Sequence, residues 1–207
     1  MSIIATDLDG TIFKGQTLID GVKEGLLKII NEGIEIYYTT NNSSQTPSEI
    51  KDKLENLLQL DIDISKIITP LVIFQNLYSD DKLNIFIYGS ENLKKYIKNL
   101  NMNVTSLENA ELVLIGRKEE NNFSEINEII KNVSLGKNIL SLNKDLTFPT
   151  EFGEKAGNGA VVKIIEDELS INIPTLGKSG DHYSSYFIQN KIIVNYKILM
   201  EEFTLTL

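Results

Sequence analysis

The chain of 207 residues contains no cysteine. Disulfides, thiolate metal sites and a cysteine nucleophile are therefore excluded, and any covalent catalysis must use another side chain. Positive charge is also in deficit, with 20 lysines and arginines against 29 acids and a net charge of −9. No basic run relieves it locally. Nucleic acid is thereby excluded as the main partner, because binding the phosphate backbone is dominated by Lys and Arg. A small phosphorylated ligand stays compatible, since it needs only one local positive site. Long apolar runs are missing too. No apolar span of about 18 residues occurs, and Lys14 and nearby acids interrupt the apolar opening, so neither a membrane helix nor a secretory signal is expected. The expected setting is the cytoplasm, with no membrane partner. Internal repeats, heptads and flexible linkers are absent as well, so domain boundaries have to come from motifs.

What is present begins with an ordinary globular composition, 42% hydrophobic and 24% charged, enough for one large core or two smaller ones. The chain is organised around residues 3–13. Ile3, Ile4 and Ala5 read as a short buried strand running into Asp7, Leu8, Asp9 and Gly10. Side chains two apart share a strand face, and Gly10 supplies a turn just beyond them. Asp7 and Asp9 therefore converge at a strand's C-terminal tip, where open α/β sheets bind their ligands. Two acids there suit a hard cation such as Mg²⁺, or a nucleophile paired with a general acid/base. The bland alternative is a strand that ends in an Asp-Gly turn.

Further along, apolar spacing predicts a helix over 22–31 stopped by Gly33, then a strand over 34–38. That strand ends in the polar run Thr39, Thr40, Asn41, Asn42, Ser43, Ser44. Right-handed strand–helix–strand crossovers put this run at the same end of a parallel sheet as Asp7. Thr46 and Pro47 open a helix through Leu54, Leu57 and Leu58. A short strand at 67–68 and a helix over 71–78 follow. A second alternation starts at Leu83: strand 84–88, helix 91–100, strand 111–115 and helix 123–133. Residues 139–142 lead into a polar segment over 143–150. Gly153, Gly157 and Gly159 then precede a helix over 160–168. Lys178 follows a short extended segment and is a compact charge able to counter carboxylate repulsion or hold a phosphate, although a Gly-Lys pair alone carries no signal.

Taken together, Asp7-Leu8-Asp9-Gly10-Thr11, then Thr40-Asn41-Asn42, then Gly177-Lys178 resemble the haloacid dehalogenase-like phosphatases in order and context. The segment between the second and third motifs resembles the large α/β cap of their p-nitrophenylphosphatase-like subfamily. That likeness is carried by residues 85–89, 112–116, 143–150 and 157–160. It implies an α/β fold: a Rossmann-like parallel-sheet core formed by 1–78 and 174–207, with an inserted α/β cap over 79–173. Parallel core strands are expected at 3–7, 34–39, 67–69 and 197–202, the first of them central. The resemblance makes Asp7 the nucleophile, Asp9 the general acid/base, and Thr40 a holder of phosphoryl oxygens. Asn41 would align the nucleophile and Lys178 would neutralise charge. Mg²⁺ would bind Asp7, Asp9 and an acid of a fourth motif. Asn41, Asn42, Asn143, Asp145, Gly157 and Asn158 are the expected substrate contacts, and a small phosphorylated metabolite the expected partner.

The C-terminal end departs from this pattern. The fourth-motif strand candidate is 197–200, and Phe203 stands about where the metal-binding aspartate of the family falls. Glu201 and Glu202 are substitutes one or two residues early. The expectation is a core left incomplete by truncation or a shifted reading frame, with weak Mg²⁺ binding. An uncovered apolar edge at 198–200 would invite a homodimer contact or aggregation. Two functions follow: a Mg²⁺-dependent phosphatase acting through an aspartyl-phosphate, impaired in this form, or an inactive relative that binds a phosphorylated ligand. A phospho-accepting receiver domain also uses acids at strand ends, but the long insertion between Thr40 and Lys178 counts against it.

Overall fold

The computed structural model describes residues 2–79, 82–150 and 153–192. Its contacts gather into two compact units, one of residues up to 40, 47–68 and from 184 onward, the other of residues 41–46 and 69–183.

The first unit is built on β1 (Ile3–Asp7), β4 (Glu35–Thr39) and β5 (Ile67–Ile68), a parallel sheet in the order β1-β4-β5. These are the strands expected at 3–7, 34–39 and 67–69. Between the first two, β2 (Phe13–Lys14) and β3 (Thr17–Leu18) form a small antiparallel hairpin, where the sequence suggested only a loop. α1 (Val22–Asn31) follows the hairpin, with Leu26 buried in the core. The helix stops at Gly33, whose φ of +73° suits glycine; Gly33 N–H donates to the Ile30 carbonyl, and Ile34 N–H to that of Ile29. α2 (Pro47–Leu58) starts on proline, whose fixed φ and missing N–H cost nothing at that position. Its Ile50, Leu54 and Leu58 recur every fourth residue and are buried in one cluster with Ile4, Leu8, Ile36 and Ile67. Among the described strands β4 is the middle one. The strand expected at 197–202, the sheet edge at 198–200, and the candidate ligands Glu201 and Glu202 lie outside the described residues, and with them the expectation that β1 is central.

The second unit carries its own parallel sheet, in the order β7-β6-β8-β9, from β6 (Asn84–Tyr88), β7 (Asn103–Val104), β8 (Leu112–Ile115) and β9 (Asn138–Ser141). Residues 84–115 thus pair in a sheet separate from that of residues 3–7. Three of its helices open on side-chain caps. Thr69 accepts from two amides ahead of α3 (Pro70–Tyr78), Ser90 caps α4 (Glu91–Asn99), and Asn122 caps α5 (Phe123–Ser134). α6 (Asn158–Leu169) packs Val161, Val162 and Ile165 against Val113, Ile115, Ile126 and Ile129. Two features were not foreseen: the two-residue β7, and the antiparallel hairpin of β10 (Thr147–Thr150) and β11 (Gly153–Ala156). Neither shows alternation, because β7 is too short and β11 is exposed throughout. Residues 174–176 extend the sheet edge, with Ser141 N–H donating to the Pro174 carbonyl and Leu176 N–H to that of Ser141. α7 (Asp181–Gln189) closes the described chain.

The α/β reading of the chain therefore holds, with a parallel-sheet core. No described helix is long and apolar enough to cross a membrane. Leu54 is fully buried, so Leu54→Ala should cost about 2–5 kcal/mol in urea unfolding, from lost transfer energy and a residual cavity. Leu135→Ala, at a site 79% exposed, should stay within about 0.5 kcal/mol of the parent.

Candidate active site

In the first unit, the site is set by how β1 ends. Asp7 is its last residue and stands in register with Thr39 of β4. Leu8 is buried in the core, and its carbonyl accepts from the amides of Thr11, Ile12 and Phe13 at 3.2, 2.9 and 3.2 Å. Gly10, at φ +83°, makes the reversal, and its N–H donates to the Phe13 carbonyl at 2.8 Å. Asp7 and Asp9 flank the buried Leu8, so both carboxylates are presented at the strand tip, Asp7 half-buried and Asp9 exposed. Thr40 is buried one residue beyond β4, its N–H donating to the Ile68 carbonyl and its Oγ1 to Asp9 Oδ2 at 3.1 Å. The structure thus brings Asp7, Asp9 and Thr40 together.

It adds Lys53, which no motif flagged. This lysine of α2 sets its Nζ 3.5 Å from the centroid of the Phe13 ring, over the turn that carries Asp9. Burial pushes its ammonium below the usual value, and the Asp9 carboxylate opposes that shift. Its sequence context is an ordinary charged helix face, so nothing local marks it.

The second unit gathers Asn41, Asn143, Asp145 and Lys178. Asn41 Nδ2 donates to Asp145 Oδ1 at 3.0 Å, and Asn41 Oδ1 accepts from the Lys178 backbone N–H at 2.8 Å. Asn143 Nδ2 donates to the Asn41 carbonyl at 2.8 Å and to Ser43 Oγ at 3.3 Å. Gly177 lies so close that an added Cβ would stand 3.0 Å from Asn41 Oδ1. Asn42 instead folds its own loop, accepting from the N–H and Oγ of Ser44 at 2.9 and 2.7 Å. Asn158 is buried, its Nδ2 donating to Ser141 Oγ and to the carbonyls of Ile115 and Asn143. Gly157 lets the chain approach the 143–146 loop; a Cβ on it would lie 2.2 Å from the Asp145 carbonyl oxygen.

In donor chemistry, Asp7 and Asp9 suit a hard cation, which prefers carboxylate and carbonyl oxygen. No group of three or more His, Asp or Glu side chains able to hold a metal occurs among the described residues.

Two acids stand at a parallel-strand tip, one of them taking a hydroxyl bond from just beyond the neighbouring strand. Residues 4–103 match the family model described as haloacid dehalogenase-like hydrolase. An acid sugar phosphatase of Staphylococcus epidermidis is 28% identical over 174 residues, covering 83% of this chain and 67% of that protein. A mutant of the thermostable p-nitrophenylphosphatase of Bacillus stearothermophilus superposes with a TM-score of 0.73 at 27% identity, over 91% of this chain and 74% of that one. The glycerol phosphate phosphatase of Mycobacterium tuberculosis, solved in complex with magnesium, gives a TM-score of 0.76 at 21% identity, over 92% and 59%. The chain belongs to the haloacid dehalogenase-like hydrolases. Within them it falls in the p-nitrophenylphosphatase-like subfamily with a large α/β cap, and so among the phosphoric monoester hydrolases.

The crowding at the glycines can be tested directly. A Cβ on Gly159 would sit 2.1 Å from the Lys144 carbonyl oxygen. Gly159→Ala should therefore lower stability by about 1–3 kcal/mol, seen as a reduced thermal midpoint, whereas Gly136→Ala meets no atom within 4 Å and bears only its positive-φ strain.

Proposed function

We propose that this protein is a Mg²⁺-dependent phosphatase of small phosphorylated metabolites, sugar phosphates among them, acting through an aspartyl-phosphate on Asp7. The observation that carries this is the paired carboxylate tip of β1, with the Thr40 hydroxyl on Asp9. The phosphatase relatives and their sugar phosphate and p-nitrophenyl phosphate chemistry support it. In this reading residues 1–78 and 174–207 act as the core and 79–173 as the cap. The setting is cytoplasmic and the partner a small phosphorylated metabolite, with a homodimer as the assembly.

An oxygen of Asp7 attacks phosphorus and the bond to the leaving oxygen breaks, while Asp9 delivers a proton to that oxygen. Asp9, now a carboxylate, takes a proton from water as the water attacks the acyl phosphate. Inorganic phosphate leaves and the Asp7 carboxylate is regenerated. The bond from Thr40 orients the Asp9 carboxyl for both transfers, and the Lys178 ammonium offsets negative charge on the phosphoryl group. Asp7 and Asp9 would hold the Mg²⁺, with a third acid from 201–202; when bound, the ion neutralises charge on the transferring group. Asn143, Asp145, Gly157 and Asn158 shape the loop that meets the rest of the substrate, and Asn41 and Asn42 hold the segment after Thr40.

Turnover of p-nitrophenyl phosphate should require added Mg²⁺ and stop on chelation with EDTA. Asp7→Asn should abolish it while leaving the fold intact, since the amide is nearly isosteric but not nucleophilic. Asp9→Asn should slow it by about 10²–10⁴-fold. Undiminished turnover in Asp7→Asn would remove the aspartyl-phosphate route. Phosphate binding with no turnover in the parent would leave an inactive relative.

A further inference from the structure

Within the first unit, α2 carries two nearby lysines that are used differently. Lys51 stays on the helix surface, paired with Glu55 and 3.8 Å from Asp61. Two positions along a helix are a rotation of about 200°, so Lys53 leaves on the side away from that pair, next to the fully buried Leu54. Its ammonium sits 3.5 Å from the centroid of the Phe13 ring. Among the described residues the charge that acts on it is that of Asp9, across the fold, and not that of Glu49 four positions earlier on its own helix. A lysine ordinarily buries its stem and keeps its ammonium in water. Here burial works against the charged form, and the face of the ring and the Asp9 carboxylate offset it.

Phe13 is the residue that closes the turn presenting the acids. Its N–H donates to the Leu8 carbonyl, its carbonyl accepts from Gly10 N–H, and its backbone bridges to that of Asp9. The ring itself is buried in the cluster that holds Leu8 and Leu54. The ammonium is therefore located by a fixed platform, one residue-pair away from the general acid. Asp9 in contrast is exposed, and the Thr40 hydroxyl bonds only its Oδ2. A carboxyl held at one oxygen still turns about its own bonds, and a fixed cation within electrostatic reach restricts that turning.

We propose that Lys53 is a positioning residue for Asp9: from α2 it clamps the Phe13 ring and attracts the Asp9 carboxyl with a fixed charge, holding it in place for its two proton transfers. The role rests on the phosphatase reading above and deepens it. Lys53 acts through Asp9 and not on the substrate.

Kinetics of the full-length chain on p-nitrophenyl phosphate and phenyl phosphate test it. The two esters are close in shape, but phenolate is the poorer leaving group, so phenyl phosphate depends far more on a proton delivered from Asp9. Lys53→Met keeps an apolar stem over the ring and removes the charge. It should lower kcat/KM for phenyl phosphate about 10- to 100-fold, part of a full general-acid contribution, and that for p-nitrophenyl phosphate by less than about threefold. Lys53→Arg, still a cation able to stack on a ring, should recover most of the loss. A merely structural defect lowers both substrates alike, and a lysine that binds the phosphate itself raises KM for both. An equal loss on the two esters, or no loss on phenyl phosphate, overturns the assignment.

A second measurement needs no turnover. Hydrogen exchange of the Gly10 amide, which donates across the turn to Phe13, should speed up about 3- to 30-fold in Lys53→Met, the span of a cation–π contact, and return toward the parent rate in Lys53→Arg. Unchanged Gly10 exchange overturns the clamp even in an active enzyme. A parent that hydrolyses neither ester removes the phosphatase reading, and the exchange result alone then decides whether Lys53 holds the Asp9 turn. If Lys53→Met fails to fold, Lys53→Gln, which also removes the charge but keeps a polar head, serves for both measurements.

Discussion

The parallel pairing of β1 with β4 is the constraint on which the catalytic half depends. Register alone sets Asp7 opposite Thr39, so that Thr40 emerges one step beyond and its hydroxyl reaches Asp9. A slip of one residue would turn Asp7 and Asp9 to the opposite face and Leu8 out of the core. Leu8 resists that slip because it is 1% exposed, packed within the same cluster as Ile4, Ile36 and Leu54. Its carbonyl, accepting from three successive amides, gathers the turn that presents the acids. Hydrophobic burial thus sets the position of two carboxylates that repel each other.

The second unit solves a different problem, how to hold irregular loops without a regular ladder. It does so with asparagine amides. Asn41 ties the 143–145 loop to the backbone of Lys178, Asn143 ties that loop to 41–43, and Asn158 joins the ends of β8 and β9 to α6. Each amide offers both donors and an acceptor, so it can replace backbone partners where two loops pass. Such bonds work only at close range, and Gly157, Gly159 and Gly177 provide it. A Cβ would overlap a backbone oxygen at Gly157 and Gly159, and would press on Asn41 and Asn143 at Gly177. Those glycines answer to the protein's own backbone and loop side chains.

Much of this was readable in advance. Asp7, Asp9 and Gly10 are adjacent in sequence, and a motif whose geometry closes within a few bonds is visible as letters. The β1, β4, β5 and β6 strands were equally plain, as apolar runs bounded by turns. The hairpins of β2 with β3 and β10 with β11 were not, since strands of two to four residues are too short to show an alternation. Lys53 was invisible for the same kind of reason: its role is set by a ring forty residues away in the chain.

Local chemistry therefore determined the class of the fold, the acids at the strand tip, the helix caps and the family, because each of these is written within one turn or one strand. Tertiary structure decided which distant groups meet: Thr40 on Asp9, Asn41 between Asp145 and Lys178, and the guanidinium of Arg117 on the ring of Phe148. Those contacts depend on how two sheets bring their loops back, and loop closure over tens of residues leaves no periodic trace in the chain.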